Sequence, residues 1–296
     1  MEFIAVILNP SFPFMRNAFL AGLLSSALFG VLGTAVTARR IAGLAGAVSH
    51  AVLGGIGMAL YLSAAGILPG FPPLAGALIF ALLSAALIGV VSLKAKQRED
   101  TAINAIWAVG MSAGVLFLAK TPGYTDPSAY LFGNILLISN RDLILLAVLD
   151  ALTLILTWRF YPQLQAASFD EEFARVRGVP TGAVFLTLLA VTAAAIVLLQ
   201  TFVGIVMVIA MLTLPAGTAG YFSRSLGGMM LAATLFSAIF STAGLFLGWT
   251  FDVPAGAMAV ILAGAIFLAS ALIRVLLNKK ARGKEPLSKT NDPRLG

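Results

Sequence analysis

Cysteine is absent from the 296 residues, histidine occurs once, and only 10% of the chain is charged. The first absence excludes disulfides and thiolate metal sites while leaving the compartment open. The scarcity of charge, with 60% hydrophobic residues and a mean hydropathy of +1.00, excludes an ordinary soluble fold. Apolar runs of about 20 residues, the length that crosses a bilayer as a helix, recur throughout. They lack the alternation of barrel strands, and backbone groups in lipid must pair within their own segment. The fold class is therefore all-α, a polytopic transmembrane helical bundle. Also missing are an HExxH motif, a serine–histidine pair with a suitable acid, and a nucleotide-binding glycine loop, so the chain does not read as an enzyme. Its first residues, MEFIAVILNPSFPF, have neither a basic n-region nor a cleavage site and do not read as a signal peptide.

Nine spans are expected, at about 17–38, 44–63, 74–93, 101–119, 143–158, 182–199, 202–222, 227–248 and 257–277. Basic residues collect on the cytoplasmic side of membrane proteins. An N-out, C-in arrangement puts 16 of the 19 Lys and Arg inside, leaving only Arg16, Lys120 and Arg141 outside. Residues 1–278 form one membrane domain. Residues 279–296 form a basic tail, expected to be disordered and to anchor the topology at the anionic inner leaflet, with no role in binding nucleic acid.

The stretch RRIAGLAGAVSHAVLGGIGMA, residues 39–59, holds the one histidine, His50. Residues three and four apart share a helix face, so Gly43, Gly46, His50, Gly54 and Gly57 line one side. Ile41, Leu44, Val48, Val52 and Leu53 supply apolar bulk facing lipid or core. An ionisable residue inside a bilayer is costly and marks a functional path by default; the plainer alternative is a hydrogen bond to a neighbouring helix. Nine spans allow two four-span halves of opposite orientation around a central fifth, as inverted repeats do. The second helix of each half is expected to be interrupted near the path, one around Gly46 and Gly54, the other at Pro215-Ala216-Gly217. A packing kink is the alternative at each. Asp150, in span five, either belongs to a cation route or bonds to nearby Thr153.

The loops add detail. Pro69 to Pro73 reads as a rigid outer turn, and Asp252 as a solvated residue in another. Thr121 to Asn140 is expected to hold a short interfacial helix anchored by Tyr124 and Tyr130. The longest inner loop, QLQAASFDEEFARVRGVPTG at 163–182, reads as a short charged helix. Ser168 is its expected cap, Asp170, Glu171 and Glu172 lie in its first turn, and Arg175 and Arg177 near its end. Gly178 and Pro180 stop it. Such a helix is something a soluble partner could grip.

Together with EDTAINAIWAVGMSAGVLFL at 99–118, DPSAYLFGNILLIS at 126–139, SFDEEFARVRGVP at 168–180, VGIVMVIAMLTLPAGTA at 203–219 and DVPAGA at 252–257, the histidine stretch resembles the membrane permease subunits of ABC importers for zinc, manganese and iron(II). The resemblance implies a type II permease fold like that of the vitamin B12 importer, working as a homodimer in the bacterial inner membrane. It also implies cytoplasmic ATPase subunits, where ATP is hydrolysed, and an extracytoplasmic metal-binding protein. Phe169, Asp170, Glu171, Glu172, Phe173 and Ala174, with Arg175 and Gly178, match the family's coupling segment. His50 matches a histidine expected to line the metal path. Where the family usually has an aspartate, this chain has Gly46. Losing that acid handicaps oxygen-preferring Mn²⁺ more than nitrogen-tolerant Zn²⁺, so zinc is the favoured cargo, with no permanently bound cofactor. Two further readings stand beside this one. The first is a permease of the same fold carrying a metal chelate or cofactor. The second is a stand-alone ion-coupled carrier, against which the charged inner helix argues.

Overall fold

The computed structural model describes residues 3–9, 11–94, 99–122 and 138–282, all helical or connecting loop, with no strand among them. A short α1 (Phe3–Leu8) leads into α2 (Pro13–Ala38), which has proline in its first turn, where a missing N–H costs nothing. Then come α3 (Gly43–Ala64), α4 (Pro73–Lys94) and α5 (Glu99–Lys120). The turn expected before α4 is present, with Gly70 at φ 75°. Next, α6 (Asn140–Arg159) opens on a capping box: the Ser139 hydroxyl accepts from the Asp142 N–H, and the Asp142 carboxylate accepts from the Ser139 N–H. Phe160 and Pro162 then break the helix, and α7 (Tyr161–Phe169) leaves it at 71°. The rest are α8 (Glu171–Val176), α9 (Thr181–Gly220), α10 (Leu226–Phe251) and α11 (Ala255–Arg282). Asp252, expected only as a solvated turn residue, ends α10 in the left-handed conformation at φ 53°.

By length and composition seven helices can cross a membrane, or eight if the bent pair α6–α7 counts as one span. The forty-residue α9, counted once among the seven, holds two of the expected spans, folded back on each other. A Cβ on Gly182, near its start, would lie 3.7 Å from Leu93 at the end of α4. At its end, Tyr221 accepts a 3.2 Å hydrogen bond from Arg274 near the end of α11. Its middle lies instead against the start of α11, where a Cβ on Gly256 would meet Met207 Sδ at 3.3 Å. The chain therefore reverses inside α9, and it does so at Gly204 (φ 81°, ψ 165°), in a region of backbone space open essentially only to glycine. Counted as two, these segments bring the spans to nine. They leave four on each side of α6.

Several expectations about breaks need correction. Helix α3 runs unbroken through Gly46 and Gly54, and α9 stays helical through Pro215 and Gly217. The glycines of α3 serve close approach instead: Gly55 and the Gly76 backbone of α4 leave no room between them for a side chain. Pro215 lies buried within α9, where neighbouring helices tolerate a missing N–H. Helix α11 continues to Arg282, past the end of its apolar span at Leu277. The expected interfacial segment with Tyr124 and Tyr130, Lys96, Arg98 and the tail from 283 onward lie outside the described residues.

Helix α3 sits deep in the bundle between α4 and α5, with Ile41, Leu44, Val48, Val52 and Leu53 all buried, so that bulk is core rather than lipid-facing. Helices α5 and α11 present Val109, Leu116, Leu268 and Leu272 outward, the surface a bilayer or a second membrane chain would cover. Among the described basic residues, Arg39, Lys94, Arg159, Arg175, Arg177, Arg224 and Arg274 all lie at helix ends or loops of one side, taken as cytoplasmic.

Candidate functional site

The glycine face of α3 packs on α5. A Cβ on Gly43 would meet Ile103 at 3.3 Å, one on Gly54 the Gly110 carbonyl at 2.8 Å, and one on Gly57 the Gly114 carbonyl at 2.8 Å. His50 lies within this seam. Its ring stacks on Trp107 of α5, with centroids 4.8 Å apart and planes 17° from parallel. The imidazole is buried, and its Nδ1 has no hydrogen-bond partner among the described residues. The plain expectation of a hydrogen bond from a neighbouring helix is not met at that nitrogen. Gly46, one turn before His50, faces the same indole: a Cβ there would lie 2.6 Å from Trp107 Cζ3. The space an acid would need beside His50 is filled by tryptophan.

Gly46→Asp alone is therefore expected to force Trp107 off the histidine. The result would be a change in tryptophan fluorescence and a melting point lower by several degrees in detergent, the usual scale for overpacking of about 1–3 kcal/mol. Adding Trp107→Ala should recover much of that loss. A single variant that melts and fluoresces like the parent would show that the indole does not hold this position.

Asp150 is buried at 5% exposure, and neither carboxylate oxygen has a hydrogen-bond partner among the described residues. The Thr153 hydroxyl is likewise without one, so the local bond that would have explained the acid is not formed. Asp150 and His50 do not come together: α6 packs chiefly on α2, whereas His50 faces α5. No group of three or more His, Asp or Glu suited to a metal occurs among the described residues. On the face of α3 turned away from His50, Val52 and Ile56 line a cavity of about 370 Å³ together with Asp142 and Gln200. Gln200 is buried there with both amide atoms unpartnered.

At the basic end, α8 is short, charged and firmly capped. Its cap is Asp170 and not Ser168: the Asp170 carboxylate accepts from the Phe173 N–H at 2.8 Å, while Ser168 sits in the last turn of α7 and donates to the Leu164 carbonyl. The reason is the bend at Phe160, which lets α7 run on to Phe169. Gly178 ends α8 at φ 82°, with its own N–H and that of Val179 closing back on Arg175 and Ala174. Glu171 bonds Arg175 at 2.8 Å and Arg39, at the end of α2, at 3.1 Å. Phe169 (70%), Phe173 (55%) and Val176 (83%) are exposed there, beyond the 71° bend that follows α6.

A bundle that holds an imidazole in its membrane interior and offers a capped, partly apolar helix at one end has the build of a multi-pass transport permease. The chain belongs to the ABC 3 transport family, whose model matches residues 11–274. It is 31% identical to the manganese transport system membrane protein MntC of Halalkalibacterium halodurans, over 87% of this chain and 86% of that one. Its structure is similar to a chain of PsaBC from Streptococcus pneumoniae, solved in complex with a Fab, with a TM-score of 0.78 and 31% identity over 91% and 94% of the two chains. An inward-facing ABC transporter of metal-chelate type shares the fold, with a TM-score of 0.71 at 14% identity over 87% and 85%.

Sequence reasoning missed Trp107 and Arg39. Ile103, Trp107, Gly110 and Gly114 recur at helical spacing along α5, and that pattern could have marked the face that meets the glycines of α3.

Proposed function

We propose that this chain is the membrane permease of an ATP-driven importer of divalent transition-metal ions. In this reading a cytoplasmic ATPase docks on α8, and an extracytoplasmic binding protein delivers the ion. Two copies of the chain form the path, which opens alternately to each side. ATP hydrolysis takes place in the partner, and the ion is cargo, not a resident cofactor. The observation that carries the reading is the exposure of Phe173 and Val176 on a rigidly capped helix at the basic end, with Phe169, the last residue of α7, exposed just before it. Apolar surface presented to water in this way marks a protein contact, and the acidic first turn adds charge to steer the partner.

The cargo class rests on His50 together with the naming of the relatives. An imidazole with no carboxylate beside it is a nitrogen donor, which suits Zn²⁺ better than Mn²⁺. The manganese in the name of the relative from Halalkalibacterium points to the same cargo class. In proteoliposomes containing the chain, its ATPase and the binding protein, labelled zinc and manganese are expected to enter only with ATP, zinc at least as fast as manganese. Flux of free ion without nucleotide would instead favour a stand-alone carrier, and uptake only of a chelated metal would favour a chelate permease.

Phe173→Ala paired with Glu172→Ala is expected to strip the ATPase from the purified complex, lowering its affinity by about tenfold or more, as loss of an aromatic anchor does. Co-purification at the parental ratio would remove α8 as the docking element.

A further inference from the structure

Resting on the reading of α8 as the docking helix, we infer that Arg39 is the positioning residue that carries motion of that helix to the helix bearing His50. The Arg39 side chain is only 8% exposed although it lies at the cytoplasmic end of the bundle. Its guanidinium is held on two sides: Nη2 lies 3.1 Å from Glu171 Oε2, and the carbon centre lies 4.7 Å above the ring of Phe185 in α9. Glu171 is the first residue of α8 and is itself steadied by Arg175 at 2.8 Å. One side chain thus bonds the docking helix, leans on the inner leg of the α9 hairpin and belongs to the end of α2.

The corner between α2 and α3 makes the contact mechanical rather than merely cohesive. Arg40 takes the left-handed conformation at φ 61°, its N–H donating to the Thr37 carbonyl and that of Ile41 to the Val36 carbonyl. This two-bond closure fixes the corner tightly, and after Ala42 the helix α3 begins. His50 stands seven residues into α3, about 10 Å along its axis. A displacement of α8 therefore reaches the histidine helix through one buried side chain and one rigid corner. Glu171, Arg39, Phe185 and Arg40 have no part in holding the cargo.

The test uses the complete transporter in proteoliposomes and reads zinc ions moved per ATP hydrolysed. Arg39→Gln is expected to keep the ATPase attached but to lower that ratio about fivefold or more, a coupling-sized loss. Arg39→Lys, which keeps the charge but not the planar fork over the ring, should fall between. Glu171→Gln, at a partly exposed position and with the amide still able to accept from the guanidinium, should lower the ratio similarly, and adding it to Arg39→Gln should cost nothing more. A parental ratio in Arg39→Gln, or additive losses in the double variant, would overturn the assignment. Detachment of the ATPase by Arg39→Gln as complete as that caused by the Phe173 and Glu172 changes would overturn it too, making Arg39 part of the docking surface. Failure of the docking reading is distinguishable, because it shows as an ATPase that stays bound when Phe173 and Glu172 are replaced.

Discussion

His50→Gln is expected to cut ATP-driven zinc uptake by about tenfold or more while the complex assembles and hydrolyses ATP as before. Glutamine is close to histidine in length, so it keeps most of the packing against Trp107 while removing the nitrogen donor. A loss of about 1.4 kcal/mol in the interaction with the passing ion corresponds to a factor of ten. His50→Ala would combine that loss with a cavity beside the indole, which makes it the poorer probe. If His50 were only a packing residue, the glutamine variant would shift the melting point and leave uptake unchanged. That result would take the histidine out of the transport path.

Gly204→Val is expected to prevent most of the chain from reaching its folded state. At φ 81° and ψ 165° a branched side chain meets its own backbone, and a residue held in such a region costs on the order of 1–3 kcal/mol even without branching. Relaxing the dihedral is no escape, because the reversal at Gly204 places Val203 and Met207 against the start of α11. Straightening it would also carry the second leg of α9 away from α2, where Gly33 packs on the Leu212 backbone. The monodisperse fraction in detergent chromatography should fall severalfold, with Gly204→Ala intermediate. A valine variant that elutes and melts like the parent would show that the turn lies elsewhere.

Much of the outline was legible because membrane physics leaves few choices. Length and hydropathy located the spans, the basic residues of the loops gather at one end of the bundle, and the one histidine lies in the glycine face where the spacing put it. The charged inner segment was legible as a short capped helix but not in detail. Both Ser168 and Asp170 can cap a helix, and which one does so depends on where α7 ends, a consequence of the 71° bend set by Phe160 and Pro162. Pro215 looked like a break because proline breaks helices in water. Inside a packed membrane bundle it does not, and the reversal falls on a glycine flanked by Val203 and Ile205 that looks like any mid-span residue. Trp107 and Arg39 were hidden for a different reason. Their importance lies in what they touch across the bundle, and spacing along one helix does not report that.

Along the seam of α3 and α5, Gly54 faces Gly110 and Gly57 faces Gly114, so that peptide groups approach peptide groups between the side chains of Leu53 and Phe117. Further along the seam the flat indole rests on the imidazole and fills the notch at Gly46. Any shift of one helix along the other has to pass that stack, which makes Trp107 the neighbour through which such a shift would be felt at His50.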